Sequence, residues 1–191
     1  MAAERARKRA THRDLEALPD TVVGELLGGD LVATPRPAPP HATASSAIGG
    51  QLWDPFHRPT GSGGPGGWWI IDEPELHLGE DVLVPDLGGW RRERLPALPS
   101  GAAFELAPDW ACEVISPATA RFDRTRKLPI YAREGVSHLW LVDPLAQSLE
   151  VYRLEADHYG LVATFGEDAP ARIRAEPFAA IELELARWWE R

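Results

Sequence analysis

One glutamate, Glu113, stands inside the apolar run at residues 110–115 (WACEVI). A short apolar run bounded by turn residues reads as a strand buried on both faces. Such a strand rarely holds an unpaired carboxylate, because ionised oxygens lose their water on burial. Glu113 therefore needs a cation or a metal, and the chain must fold so as to bring one. The residues that follow offer candidates. Ser116-Pro117 makes a turn, and residues 118–134 read as a charged helix carrying Lys127, with Gly135 as its stop. Pro129 kinks or breaks that helix. Residues 139–142 (LWLV) form a second apolar strand, closed by Asp143-Pro144. Strand, helix and strand imply an α/β core with a mixed sheet flanked by helices.

A second carboxylate lies upstream in Val84-Pro85-Asp86, 113 − 86 = 27 residues before Glu113. If Leu87 and Ile115 bound neighbouring strands, Asp86 and Glu113 approach each other at one sheet end. Two carboxylates there hold a hard divalent cation through oxygen, with a backbone carbonyl near residues 113–115 as a further ligand. The cation lowers the pKa of a water and neutralises charge on a phosphate oxygen. Lys127, projecting from the helix, orients that water or stabilises the pentacovalent phosphate. Plainer readings stand beside these. Asp86 after a proline also suits a turn, and Glu113 also suits a structural ion pair with Lys127 or Arg126. The spacing leaves both open. Asp123 and Arg124 read as helix surface, and His41 as a loop ligand or a structural histidine.

The rest of the chain fills in around this centre. Residues 1–10 read as a flexible basic arm and residues 11–191 as one domain. Thr11 with Asp14 marks a helix start, Leu15 and Leu18 give its apolar side, and Pro19 ends it. Residues 22–32 read as a β-hairpin around Gly28-Gly29, with Glu25 in its first strand. The prolines of residues 34–40 exclude helix and central strand. Residues 41–56 read as helix, with Ala42, Ile48, Leu52 and Phe56 on one face and Gly49-Gly50 as a weakness. Residues 59–67 (PTGSGGPGG) form a loop. Residues 68–78 and 82–84 read as strands, with Pro74 at an edge or bulge. Residues 88–101 read as a polar excursion with Arg91, Arg92, Arg94 and Glu93, either solvated or brushing a phosphate backbone. Residues 149–154 form a further strand, and 161–165 with 172–174 a short antiparallel addition. The C-terminal residues suit strand through Ile181, Leu183 and Leu185, or helix through Leu185, Trp188 and Trp189. Those tryptophans, with Trp68-Trp69, read as core or interface groups.

The 191 residues carry a net charge of −9. That sign argues against a protein that coats nucleic acid through a broad basic face. It leaves a nuclease open, since local charge and bound cations decide there. No apolar run approaches a membrane span, and the basic N-terminal residues lack the apolar core of a secretory signal. The single cysteine, Cys112, excludes an intrachain disulfide, suggests no zinc site and fits a reducing, cytoplasmic setting. In an apolar strand it reads as a packed small hydrophobe.

At these residues the sequence resembles the Uma-type restriction endonuclease family, a branch of the PD-(D/E)XK nuclease superfamily. The resemblance rests on Gly24-Glu25-Leu26, Gly29-Asp30-Leu31-Val32, Pro39 to His41, and Val84-Pro85-Asp86-Leu87. It is most specific in Glu113-Val114-Ile115-Ser116-Pro117, Asp123, Lys127-Leu128, Tyr131-Ala132, Gly135-Val136 and Leu139-Trp140-Leu141-Val142-Asp143-Pro144. The family pattern implies a restriction-endonuclease-like core, with Asp86 and Glu113 as metal ligands, Lys127 as catalytic lysine and Glu25 as auxiliary carboxylate. It implies Mg²⁺ (or Mn²⁺) as cofactor, DNA as substrate and a homodimer as the working form. The usual superfamily motif has its lysine two residues after the acid, where this chain has Ile115; the helix residue Lys127 matches the family instead. A binding or assembly protein that keeps the fold, with Glu113–Lys127 as a structural ion pair, is the alternative expectation.

Overall fold

The computed structural model describes residues 9–190. The arm expected at residues 1–10 lies outside them except for its last two residues. Of these, Arg9 pairs with Glu80 at 2.8 Å and the Ala10 N–H donates to the Gly29 carbonyl.

Helix α1 (His12–Glu16) starts where the Thr11/Asp14 pattern places it: the Thr11 N–H and hydroxyl both donate to Asp14. Strands β1 (Val22–Leu27) and β2 (Asp30–Pro35) form the expected hairpin, with Leu27 opposite Asp30. Gly28 and Gly29 turn it with φ of 64° and 88°, a pair of left-handed conformations that glycine adopts without strain. Helix α2 (Pro39–Phe56) begins inside the proline-rich stretch read as non-helical, because proline is accommodated in a first helical turn whose N–H groups lack partners anyway. Thr34 and Pro35 sit on an edge strand, where a missing donor costs nothing. The buried stripe of α2 is Ala44, Ser45, Ile48, Leu52 and Phe56; Ala42, expected on it, is exposed.

The residues read as one strand at 68–78 are two, β3 (Trp68–Asp72) and β4 (Glu75–Leu78). They are parted by Glu73, in a left-handed conformation (φ 41°), and Pro74, and they join different sheets. Strand β5 (Asp81–Leu83) follows, and the chain crosses to the other sheet through Val84-Pro85-Asp86. Strand β6 (Leu87–Arg91) corrects the reading of residues 88–101 as an excursion. Its glycines serve close packing. A Cβ on Gly89 meets Trp110 at 3.0 Å, and one on Gly88 meets Pro74 at 2.9 Å. The arginines beyond them are pinned in place: Arg92 stacks on Trp69 with 3.4 Å to the ring centre, and Arg94 pairs with Asp109 at 2.8 Å.

Strands β7 (Ala103–Phe104), β8 (Trp110–Val114), β9 (His138–Asp143), β10 (Ser148–Glu155) and β11 (His158–Phe165) complete the set. There are two mixed sheets rather than one, ordered β2-β1-β5-β4-β7 and β11-β10-β9-β8-β6-β3. Strand β8 lies centrally in the second, parallel to β9 and antiparallel to β6. Residues 172–174 do not extend β11; Ile173 bridges Leu183 instead, and Leu185–Trp188 closes the chain as a 3-10 turn.

Side chains alternate along β8. Trp110, Cys112 and Val114 face an aromatic-rich core under α2, in which Phe178 contacts Phe56, Trp68, Trp110 and Trp140 with ring centres 4.7–5.7 Å apart. Ala111 faces the opposite core, with Ile115 beyond the strand end beside it. The period-2 pleat puts Glu113 on that second side, toward the helix that follows. Among the described residues no helix is long and apolar enough to cross a membrane.

Candidate active site

The helix after β8 is not uniform. Its first turn is α3 (Ala120–Phe122), its middle Asp123–Lys127 is π-helical, and its last part is α4 (Leu128–Arg133). The Leu128 N–H donates to the Asp123 carbonyl, five residues back. Pro129 stands directly beyond, and having no N–H it leaves a helical acceptor unmatched. Wide π turns of this kind recur at functional sites. This one buries Asp123 and Lys127 together, correcting the reading of Asp123 as helix surface. Arg124 does lie on the surface, bound through both guanidinium ends to Glu150.

Lys127 Nζ lies 2.9 Å from Glu25 Oε1, 3.1 Å from Glu113 Oε2 and 3.5 Å from Asp123 Oδ1, and none of these four side chains is more than 7% exposed. Glu113 Oε1 accepts the Tyr131 hydroxyl at 2.6 Å. Glu25 arrives from β1, and its Oε1 accepts the Val84 N–H at 2.9 Å. Asp86 stands where the chain passes between the sheets. Its Oδ2 accepts the Val114 N–H at 2.7 Å, and its Oδ1 lies 3.2 Å from His41 Nε2. Asp86 and Glu113 thus flank the end of β8, as the pairing of Leu87 with Cys112 requires. Glu25, His41, Asp86, Glu113, Asp123 and Lys127 all line one cavity of about 240 Å³, with Phe122 and Arg36 also on its wall. Ile115, at the usual lysine position, is buried in the second core. Arg126, the other candidate partner, turns away to Asp30 at 2.8 Å.

Asp123 and Tyr131 stand in the family-like motif and His41 reads as a candidate ligand, but the sequence reading assigns none of the three a role at this centre. The first two carried a signal: residues 123, 127 and 131 are spaced by four, which sets them on one helix face. His41 reads as a loop ligand or a structural histidine, and its pairing with Asp86 spans 45 residues of chain (86 − 41), which no local pattern encodes. It lies in the first turn of α2, not in a loop.

Charge is unbalanced. Four carboxylates meet one permanently charged ammonium. Burial pushes the Glu113 pKa well up; Lys127 opposes this, while Asp123, Asp86 and Glu25 add to it. Burial likewise raises Asp123, against Lys127 and a hydrogen bond from Thr119. Burial lowers the Lys127 pKa, but Glu113, Glu25 and Asp123 outweigh it and carry it well above the usual lysine range. Burial lowers His41 too, and the hydrogen bond and charge of Asp86 turn the balance upward. Cys112, wholly buried, has its pKa pushed far up, first by burial, and packs as a hydrophobe.

Among the described residues no three His, Cys, Asp or Glu side chains converge as a ready-made metal cage. The donor set still fits a hard cation. Asp86 and Glu113 are adjacent oxygen donors, each oxygen carries one hydrogen bond and keeps a lone pair, and the cavity holds excess negative charge. Mg²⁺ is commonly held by one or two carboxylates, with waters and substrate phosphates completing its shell.

A two-sheet α/β fold with carboxylates and a lysine gathered where the chain crosses between sheets is the architecture of a nuclease-like protein. The sequence profile of the Uma2 family, described as "putative restriction endonuclease", matches residues 11–186, and the chain belongs to this family. Its fold is similar to the crystal structure of "a putative nuclease belonging to DUF820" from Anabaena variabilis. The TM-score is 0.69 at 23% identity, over 94% of this chain and 97% of that one. No curated protein shows significant sequence similarity to the chain.

Proposed function

We propose that the chain is a metal-dependent endonuclease hydrolysing DNA phosphodiester bonds. The observation that carries this reading is the convergence of Glu25, Asp86, Glu113 and Asp123 with Lys127 on one cavity. Family membership and the nuclease-like fold support it. Asp86 and Glu113 would hold Mg²⁺, or Mn²⁺ in its place. A divalent ion there supplies charge to a phosphoryl oxygen and lowers the pKa of a water. Lys127 remains an ammonium, since its carboxylate neighbours hold its pKa up. It therefore donates hydrogen bonds, to the oxygen of the attacking water or to the phosphate oxygens as charge builds there, and takes no proton. The proton would pass to a carboxylate outside the metal-holding pair; Asp123, whose pKa is raised by burial, is better matched to that task than an ordinary carboxylate. Glu25 holds Lys127 from the hairpin side. A homodimer would present two such sites to two strands.

The buried Glu113–Lys127 contact at 3.1 Å favours a second reading, a binding or assembly protein that retains the fold with that pair as a structural element. Cleavage of supercoiled plasmid separates the two, with and without Mg²⁺ or Mn²⁺, for the wild type beside Glu113→Gln and Lys127→Met. Metal-dependent nicking that both folded variants lose is the expected result. A wild type that leaves the plasmid intact in both metals sinks the nuclease reading.

A further inference from the structure

His41 is joined to the site by one ring nitrogen, and its other ring nitrogen has no protein partner. Its Nε2 lies 3.2 Å from Asp86 Oδ1, while Nδ1 is buried and makes no hydrogen bond. A structural histidine locked between protein groups has both ring nitrogens occupied, because a buried polar atom without a partner is costly. This ring instead lines the cavity with Asp86 and Glu113. Its placement is fixed by the fold. Ala38 caps α2 in extended conformation and two prolines open the first turn, so His41 is held at the helix start, beside the crossover between the sheets. Asp86 is then gripped on both oxygens, by a backbone N–H from β8 and by an imidazole from α2.

We infer that His41 is the positioning residue for Asp86: its Nε2 sets the Asp86 carboxylate for a divalent cation. This inference rests on the metal-site reading above. A partner that orients a ligating carboxylate contributes about 10–100-fold to metal affinity. Gripping Asp86 in advance removes the need to order a free side chain when the cation arrives.

The test is Mn²⁺ titration of the full chain by calorimetry, without nucleic acid, for the wild type, His41→Gln and His41→Asn. Melting in EDTA checks that all three are folded. Glutamine carries its amide nitrogen near the position of Nε2 and can still reach Asp86; asparagine is too short. The expected result is Mn²⁺ affinity close to wild type in His41→Gln and about 10–100-fold weaker in His41→Asn. Equal affinity in all three, or equal loss in both variants, overturns the positioning role while leaving the metal site standing. A wild type that takes up no Mn²⁺ overturns the metal site, and the inference with it.

Discussion

Lys127 is the one permanent cation bound to three buried carboxylates, so its removal has consequences for stability as well as for cleavage. Breaking a buried ion pair by deleting one partner costs about 3–5 kcal/mol, because the other charge is left without compensation. Lys127→Met is expected to show a loss of that order in urea unfolding at pH 8 in EDTA. The loss shrinks toward pH 5. Without the ammonium, which opposes the burial of Glu113 and Asp123, those two carboxylates have folded pKa values raised further above the unfolded ones, so the penalty is full above the folded values and fades as pH falls toward the ordinary carboxylate range. A loss that is the same at both pH values contradicts this. The same linkage applies to Glu113 in the intact protein. With its folded pKa above the ordinary 4.5, stability in EDTA declines as pH rises from there through the folded value. Glu113→Gln flattens that slope in unfolding measured across pH. Tyr131 stays protonated, since burial and then Glu113 hold its pKa far up, and it remains a donor to Glu113. Tyr131→Phe is expected to lower stability by about 1.5–3 kcal/mol, the worth of a hydrogen bond to a charged group.

At the level of strands and helices, the glycines of β6 carry a sharp expectation. Gly89→Ala places a methyl 3.0 Å from Trp110 and 3.4 Å from Trp68, both core residues. Overpacking of this kind costs about 1–3 kcal/mol, read as a lowered melting temperature; an unchanged or raised one contradicts the packing argument. The same glycines explain why β6 was illegible in the sequence. Gly-Gly before Trp90 and three arginines has the composition of a loop, and only the facing tryptophans reveal why no side chain fits. Elements whose determinants are local were legible: the Gly28-Gly29 hairpin, the Thr11 helix start, and strand β8 with its misplaced Glu113. Asp123 was misread because its charge suggested solvent, although its spacing of four from Lys127 already set the two on one helix face. The division at Glu73-Pro74 sends two consecutive strands into different sheets, a long-range choice that no local pattern encodes. The pairing of Lys127 with Glu113 was legible as a possibility and Glu25 through the family resemblance, whereas Asp123 reads as helix surface.

Taken whole, the molecule carries a net charge of −9 and a cavity lined by carboxylates. Phosphate contacts by Lys and Arg supply most non-specific affinity for DNA. Here Arg91 and Arg92 lie over tryptophan rings and Arg94 pairs with Asp109, so the arginines of that segment already have partners. On the proposed metal-site reading, a cation held by Asp86 and Glu113 would offset the negative charge of the cavity and supply much of its affinity for a phosphate backbone. Binding and metal loading should therefore be coupled. Fluorescence anisotropy of a labelled duplex, with Ca²⁺ as a divalent ion that permits binding with little or no cleavage, measures that coupling. The expected outcome is binding in Ca²⁺ and none in EDTA at physiological salt, with Asp86→Asn abolishing the Ca²⁺-dependent part. Equal binding in EDTA means that a surface away from the cavity holds the DNA, and that the carboxylate cluster contributes nothing to substrate capture.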